Sequence, residues 1–175
     1  MGARRSTLAM AAAMAGALAL ASACGFRPLY GEGTGGSPEA LAQVHVAMIA
    51  DREGQMLRNY LLDGFNPRGT AESAAYELRV MLHESRHDIA FRGDATATRA
   101  NLTLNADYQL VRLADQKAVM RSQTLSTVSY NILNNDFATL SSQADARRRA
   151  VREIGDAIRR RVALELSAPA PAAAR

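Results

Sequence analysis

The most regular pattern in the chain is an alternation of apolar and polar residues. Over residues 101–110, Leu102, Leu104, Ala106, Tyr108 and Leu110 alternate with Asn101, Thr103, Asn105, Asp107 and Gln109. Successive side chains of a strand point to opposite faces, so this period predicts a half-buried antiparallel strand. A matching alternation precedes it, with Tyr76, Leu78, Val80 and Leu82 set against Glu77, Arg79 and His83. Arg92-Gly93-Asp94 lies between the two and predicts a turn, because Gly-Asp is good turn chemistry. Ala114-Asp115-Gln116-Lys117 predicts the next turn, and a strand rich in Thr, Ser and Val follows to about Tyr130. Upstream, residues 44–49 (VHVAMI) contain β-branched residues and no breaker, and predict a short first strand.

Two stretches follow the helical period instead. Met56, Leu57, Tyr60, Leu61 and Phe65 predict a helix over residues 52–65, with Asp51 as its N-cap and Asn66-Pro67-Arg68-Gly69 as its stop. Leu140, Ala144, Val151, Ile154, Ile158, Val162 and Leu166 form the apolar stripe of a final helix, which Asn134-Asn135-Asp136 can cap. The predicted order is β-α-β-β-β-α. Both helices need an apolar face to lie on. The fold class that satisfies them is α+β, a two-layer sandwich with two helices on one face of a four-stranded, mostly antiparallel sheet. The other sheet face then carries Glu77, Arg79, Asn101, Thr103, Asn105 and Gln109 and is polar.

The first part of the chain has a different pattern. Arg4 and Arg5 precede an unbroken apolar run over residues 8–21, and Ala21-Ser22-Ala23 leads into Cys24. The run is short for a membrane span, which takes about 20 residues. It has the length of an export-signal core. Cys24 directly after small residues resembles the acylation site of bacterial lipoproteins; the alternative is an ordinary export signal that ends near a buried Cys. Gly25, rather than Asp, after the Cys points to the outer membrane. The expected organisation is a lipoprotein signal peptide at 1–23 and a lipid-anchored N-terminus with a flexible linker at 24–38. A single α+β domain spans 39–167, and an Ala/Pro tail expected to be disordered spans 168–175.

Composition narrows the function classes. Of the 175 residues 48% are hydrophobic and 22% charged, which excludes a wholly disordered chain and a polytopic membrane protein. Aromatics are 5% with no Trp, so the core is expected to rest on Leu, Val, Ile, Ala and Met. Cys24 is the sole Cys, which leaves no intrachain disulfide. The formal net charge of +4 includes Arg4 and Arg5; without the signal, 19 basic residues face 17 acidic ones. Arg147, Arg148, Arg149, Arg152, Arg159, Arg160 and Arg161 crowd the last helix, but Asp145, Glu153, Asp156 and Glu165 interrupt them. That pattern reads as a solvated helix face with i,i+4 pairs, and no nucleic-acid partner is expected.

One catalytic motif is present in letters. His83-Glu84-Ser85-Arg86-His87 matches the H-E-x-x-H zinc signature, which places both His on one helix face and uses Glu as general base. Here it continues a strand alternation, where residues four apart are separated by about 13 Å. Two ligands of one zinc cannot lie that far apart, and His45 is the only other His. A zinc metallohydrolase is therefore a remote alternative. No nucleophile elbow or phosphate loop occurs, and neither an enzyme nor a cofactor is expected.

Cys24-Gly25-Phe26-Arg27-Pro28-Leu29-Tyr30-Gly31 resembles the opening of the lipopolysaccharide-assembly lipoprotein (LptE) family, in its alphaproteobacterial form. The resemblance continues through residues 51–55 and 57–59, Phe91-Arg92, Thr98-Arg99, Tyr108-Gln109-Leu110, Ser129-Tyr130-Asn131 and the Ala/Arg-rich last helix. It implies two helices against a four-stranded sheet. It also implies a non-enzymatic outer-membrane lipoprotein that plugs an LptD-type β-barrel, assists its assembly and helps deliver lipopolysaccharide to the outer leaflet. A basic residue at the tip of the second hairpin belongs to the implied lipid contact, and Arg92 stands at the matching place, with Arg99 a nearby candidate. A second basic position near the start of the last helix is unmatched, because Ser141 and Ser142 stand there. The competing expectation is an unrelated periplasm-facing lipoprotein that acts as a binding module.

Overall fold

A computed structural model describes residues 38–66, 74–91 and 97–167. The elements in chain order are α1 (Pro38–Ala42), β1 (Val44–Val46), α2 (Asp51–Phe65), β2 (Tyr76–Phe91), β3 (Ala97–Arg112), β4 (Ala118–Asn131) and α3 (Asp136–Ser167). The strands form one sheet in the order β1-β2-β3-β4. β1 runs parallel to β2, and the other two pairings are antiparallel. This is the expected α+β sandwich with one addition: the order gains the short α1. Five residues are too few for a helical period to register in the sequence.

The sheet register explains which residues reach the core. Leu78 pairs with Leu110 and Val80 with Tyr108, and these in turn pair with Met120 and Ser122 of β4. All the even-numbered residues from Ala100 to Leu110 are buried, as the alternation predicts. Leu57, Leu61 and Phe65 of α2 and Val151, Ile154, Ile158 and Val162 of α3 close the core from the helix side. Each fully buried Leu or Ile contributes about 1.5–3 kcal/mol relative to exposure. Gly155 sets the separation of α2 and α3, since a Cβ there would run into the Tyr60 ring. That close approach lets the Tyr60 hydroxyl donate to Asp156 Oδ1 at 2.9 Å.

Several local expectations are corrected. β1 ends at Val46 rather than Ile49; the Ala47 amide still donates to the Leu78 carbonyl at 3.0 Å before the chain leaves the sheet. Asp51 does not cap α2. Ala50 occupies the cap position with no side-chain hydrogen bond, and Asp51 takes a φ of 66°, a conformation Asp tolerates better than most residues. By contrast, Asn135 caps α3 as expected, its Oδ1 accepting from the Ala138 amide at 3.2 Å. The turn before β4 forms where predicted, with Gln116 at φ 54°. Methionine contributes less to the core than expected: Met120 is buried, but Met48 and Met81 are exposed. The turn expected at Arg92-Gly93-Asp94, the signal and linker segments and the Ala/Pro tail lie outside the described residues.

Candidate functional site

The candidate contact surface is the end of the sheet that carries the β2–β3 connection. Arg92 lies outside the described residues. Arg99 is exposed, near the start of β3, opposite Ala90 on β2 and Asn131 on β4. The ladder is irregular there, with register shifts on either side of Ala90. A bulge of this kind bends the strand and re-aims its side chains. Thr98 Oγ1 donates to the Ala90 carbonyl at 3.3 Å, and the Ile132 amide donates to the Thr98 carbonyl at 2.9 Å. These bonds hold the backbone beside Arg99.

The helix-facing side of β2 changes character toward this end. Leu78, Val80 and Leu82 give way, at the same parity, to Glu84, Arg86 and Asp88. Arg86 donates from Nε and Nη2 to Asp88 Oδ1 at 3.0 and 2.9 Å, and its guanidinium lies 6.0 Å from the Tyr130 ring centre. Glu84 receives a bidentate pair from Arg147 of α3, at 2.8 Å from Nε and 2.7 Å from Nη2. Glu53 of α2 sits 3.3 Å from the same guanidinium. The hydrogen bond to Glu84, together with both carboxylate charges, raises the Arg147 pKa against the opposing effect of burial. The three charged groups thus tie α2, α3 and β2 together at the rim of the core.

An apolar patch borders this end and was not legible as such. Leu140, expected in the core stripe, is 63% exposed, and Phe137, one turn earlier, is 80% exposed. Leu133 is also exposed, and its backbone is fixed by Thr139, whose hydroxyl accepts from its amide and donates to its carbonyl. The buried stripe of α3 begins only at Ala146. Phe137 and Leu140, on the first turns of α3, are therefore left uncovered. Phe137 stands three residues before Leu140 and so shares its helix face, outside the stripe that the sequence predicts.

The H-E-x-x-H residues sit mid-strand in β2, as the alternation required. His83 and His87 are exposed on the face away from the helices, paired with Asn105 and Asn101, while Glu84 points to the opposite face and holds Arg147. Among the described residues no three His, Cys, Asp or Glu side chains converge as metal ligands. The Arg-rich helix shows the intrahelical pairing expected of a solvated face: Asp145 accepts from Arg149 at 2.9 Å and from Arg148 at 3.4 Å. The Arg149 hydrogen bond lowers the Asp145 pKa.

A family model described as lipopolysaccharide-assembly, LptE, matches residues 41–162, which span every strand and most of α3. The chain belongs to the LptE family. Solved structures with the same architecture include a chain from Caulobacter crescentus CB15 described as a lipoprotein, with TM-score 0.64 and 24% identity over 75% of this chain and 96% of that one. Lipoprotein B from Nitrosomonas europaea follows at TM-score 0.53 and 9% identity over 69% and 81% of the two chains. The rare lipoprotein B from Shewanella oneidensis has TM-score 0.50 and 11% identity over 66% and 89%. At these identities the likeness is one of fold. No curated protein matches the chain. LptE membership assigns the chain to lipopolysaccharide assembly and accounts for the fold that the alternation predicted.

Proposed function

We propose that the chain is an outer-membrane lipoprotein, anchored through acylated Cys24, that plugs and assists assembly of an LptD-type β-barrel and helps deliver lipopolysaccharide to the outer leaflet. The observation that carries this reading is the LptE family match over residues 41–162. The physical features agree with it. The sheet face away from the helices is polar, with Thr103 and Thr127 hydroxyls bonded at 3.0 Å and the Ser129 hydroxyl donating to Asn101 at 2.6 Å. Such a face suits a wet barrel lumen, since barrel interiors are polar. Among the described residues no helix is long and apolar enough to cross a membrane. In this proposal the anchor is the acylated Cys24.

Lipopolysaccharide has anionic and acylated parts, and the connection end of the sheet offers a matching pair of surfaces. In this proposal the guanidinium of Arg99, with that of Arg92 seven residues earlier in the sequence, supplies forked donors for phosphate. Leu133, Phe137 and Leu140 supply exposed apolar area at the same end. Depleting the protein in its native cell tests the function: newly made lipopolysaccharide is expected to stop reaching the cell surface. Undisturbed surface lipopolysaccharide would leave a lipoprotein of unrelated binding function. Replacing Arg92 or Arg99 with Glu tests the site. Weakened binding of purified lipopolysaccharide is expected, and unchanged binding by both variants would reject the assignment.

A further inference from the structure

A second concave surface lies far from that end and has a different chemistry. On the sheet face away from the helices, a groove of about 570 Å³ is lined in part by Met48, Met81, Arg79, Asp107, Gln109 and Arg121. The strand register fixes its layout. Arg79, Gln109 and Arg121 form one row across β2, β3 and β4, and Met81 and Asp107 stand opposite each other in the next row toward the connection. The two Arg backbones are two strands apart, about 10 Å, and Asp107 is one same-face step from Gln109, about 7 Å. The chain leaving β1 brings Met48 to the border of the groove, 78% exposed, and Met81 is 65% exposed.

The charges are unevenly committed. Arg79 is held by Glu77 on its own strand at 2.5 Å. Among the described residues, Arg121 and Asp107 have no hydrogen-bond or ion-pair partner. A free carboxylate, Asp107, one row from the free guanidinium of Arg121 does not suit a purely anionic ligand, since it would repel one. It does suit a headgroup with a phosphate and, two carbons away, an ammonium. The phosphate would sit on Arg121 beside Gln109, and the ammonium at Asp107. The exposed thioethers of Met48 and Met81 are flexible and polarizable, and so adapt to an alkyl chain. The volume is that of a site for one small ligand, not for a lipid with many chains.

We propose that this groove binds a single-chain phosphoethanolamine lipid, a lysophosphatidylethanolamine, with Arg121 on its phosphate and Asp107 on its ammonium. The site is independent of the lipopolysaccharide contact: the row containing Arg79 is eleven residues along β2 from Ala90, about 36 Å.

The test is calorimetric titration of the full chain with myristoyl lysophosphatidylethanolamine below its micelle-forming concentration, against the lysophosphatidylglycerol analogue. Saturable binding of one lipid per chain is expected, tighter for the ethanolamine head. Arg121→Gln should weaken both lipids by about tenfold or more, as expected for loss of a charge-assisted hydrogen bond. Asp107→Asn should weaken the ethanolamine lipid selectively and erase the preference. All these positions lie on the open sheet face, and a circular-dichroism melt checks that each variant stays folded. Unchanged binding in Arg121→Gln, or equal binding of the two lipids by the unaltered chain, would overturn the proposal. Arg99→Glu should leave the titration unchanged; loss of binding there would move the lipid to the connection end and reject the groove.

Discussion

The connection-end halves of β2 and β3 are neighbours in one ladder yet obey opposite rules on the same face. β3 stays apolar along it, with Ala100, Leu102 and Leu104 all buried. Their partners on β2 are Asp88, Arg86 and Glu84. Helix length accounts for the difference. α3 has 32 residues and lies along β4 and β3, whereas α2 has 15 and covers only the start of β2. Where a helix ends, the strand beneath it meets water, and the inward-parity positions become charged. Glu84 marks the boundary, because it is the last inward residue of β2 that still reaches a helix, through Arg147.

Substitutions on the two strands should therefore differ most at paired positions. Leu102→Ala is expected to cost about 2–5 kcal/mol in urea denaturation, because it leaves a cavity beneath α3. Arg86→Ala, directly opposite, should cost well under that. Equal losses at the two positions would mean that β2 is covered after all.

Smaller effects probe the helix contacts that set the boundary. Tyr60→Phe removes the hydrogen bond from α2 to Asp156 and should cost about 0.5–1.5 kcal/mol. That bond, with burial second, raises the Tyr60 pKa above its ordinary 10.0. The contribution is thus fully present below pH 10.0 and is lost as pH rises through the higher folded value. Stability of the unaltered chain should fall more steeply above that pH than stability of Tyr60→Phe. Parallel profiles would show that the phenol is not linked to folding.

A double-mutant cycle of Glu84→Gln with Arg147→Met should give a coupling of about 1 kcal/mol or less, since both side chains keep partial contact with water. A much larger value would place Glu84 inside the core rather than at its rim. The smallest effect belongs to Arg86, whose approach to the Tyr130 ring is worth about 0.5–1 kcal/mol at an exposed site. Arg86→Lys should retain part of it.

The layer architecture was legible because alternation on β2 and β3 is unbroken where a helix covers it. Leu78, Val80 and Leu82 showed the covered part of β2, and residues 101–110 showed ten of the 16 residues of β3. The strand period also placed His83 and His87 correctly against a zinc motif. What escaped was set by tertiary extent. Leu140 has the correct helical spacing for the core, but nothing in its spacing records that burial on α3 begins only at Ala146. Asp51 has cap chemistry, yet the chain enters α2 with Ala50 at the cap and Asp51 in a left-handed conformation. The groove was invisible for a related reason: Arg79, Asp107 and Arg121 come from three strands, and only the register puts them side by side.

The most direct test of the functional account is what travels with the protein. The tagged, full-length chain, extracted from outer membranes in mild detergent, is expected to carry an acylated Cys24 and to co-purify with one large β-barrel in equal amount. Recovery of the acylated chain alone would contradict the plug role and leave only the fold and family membership standing.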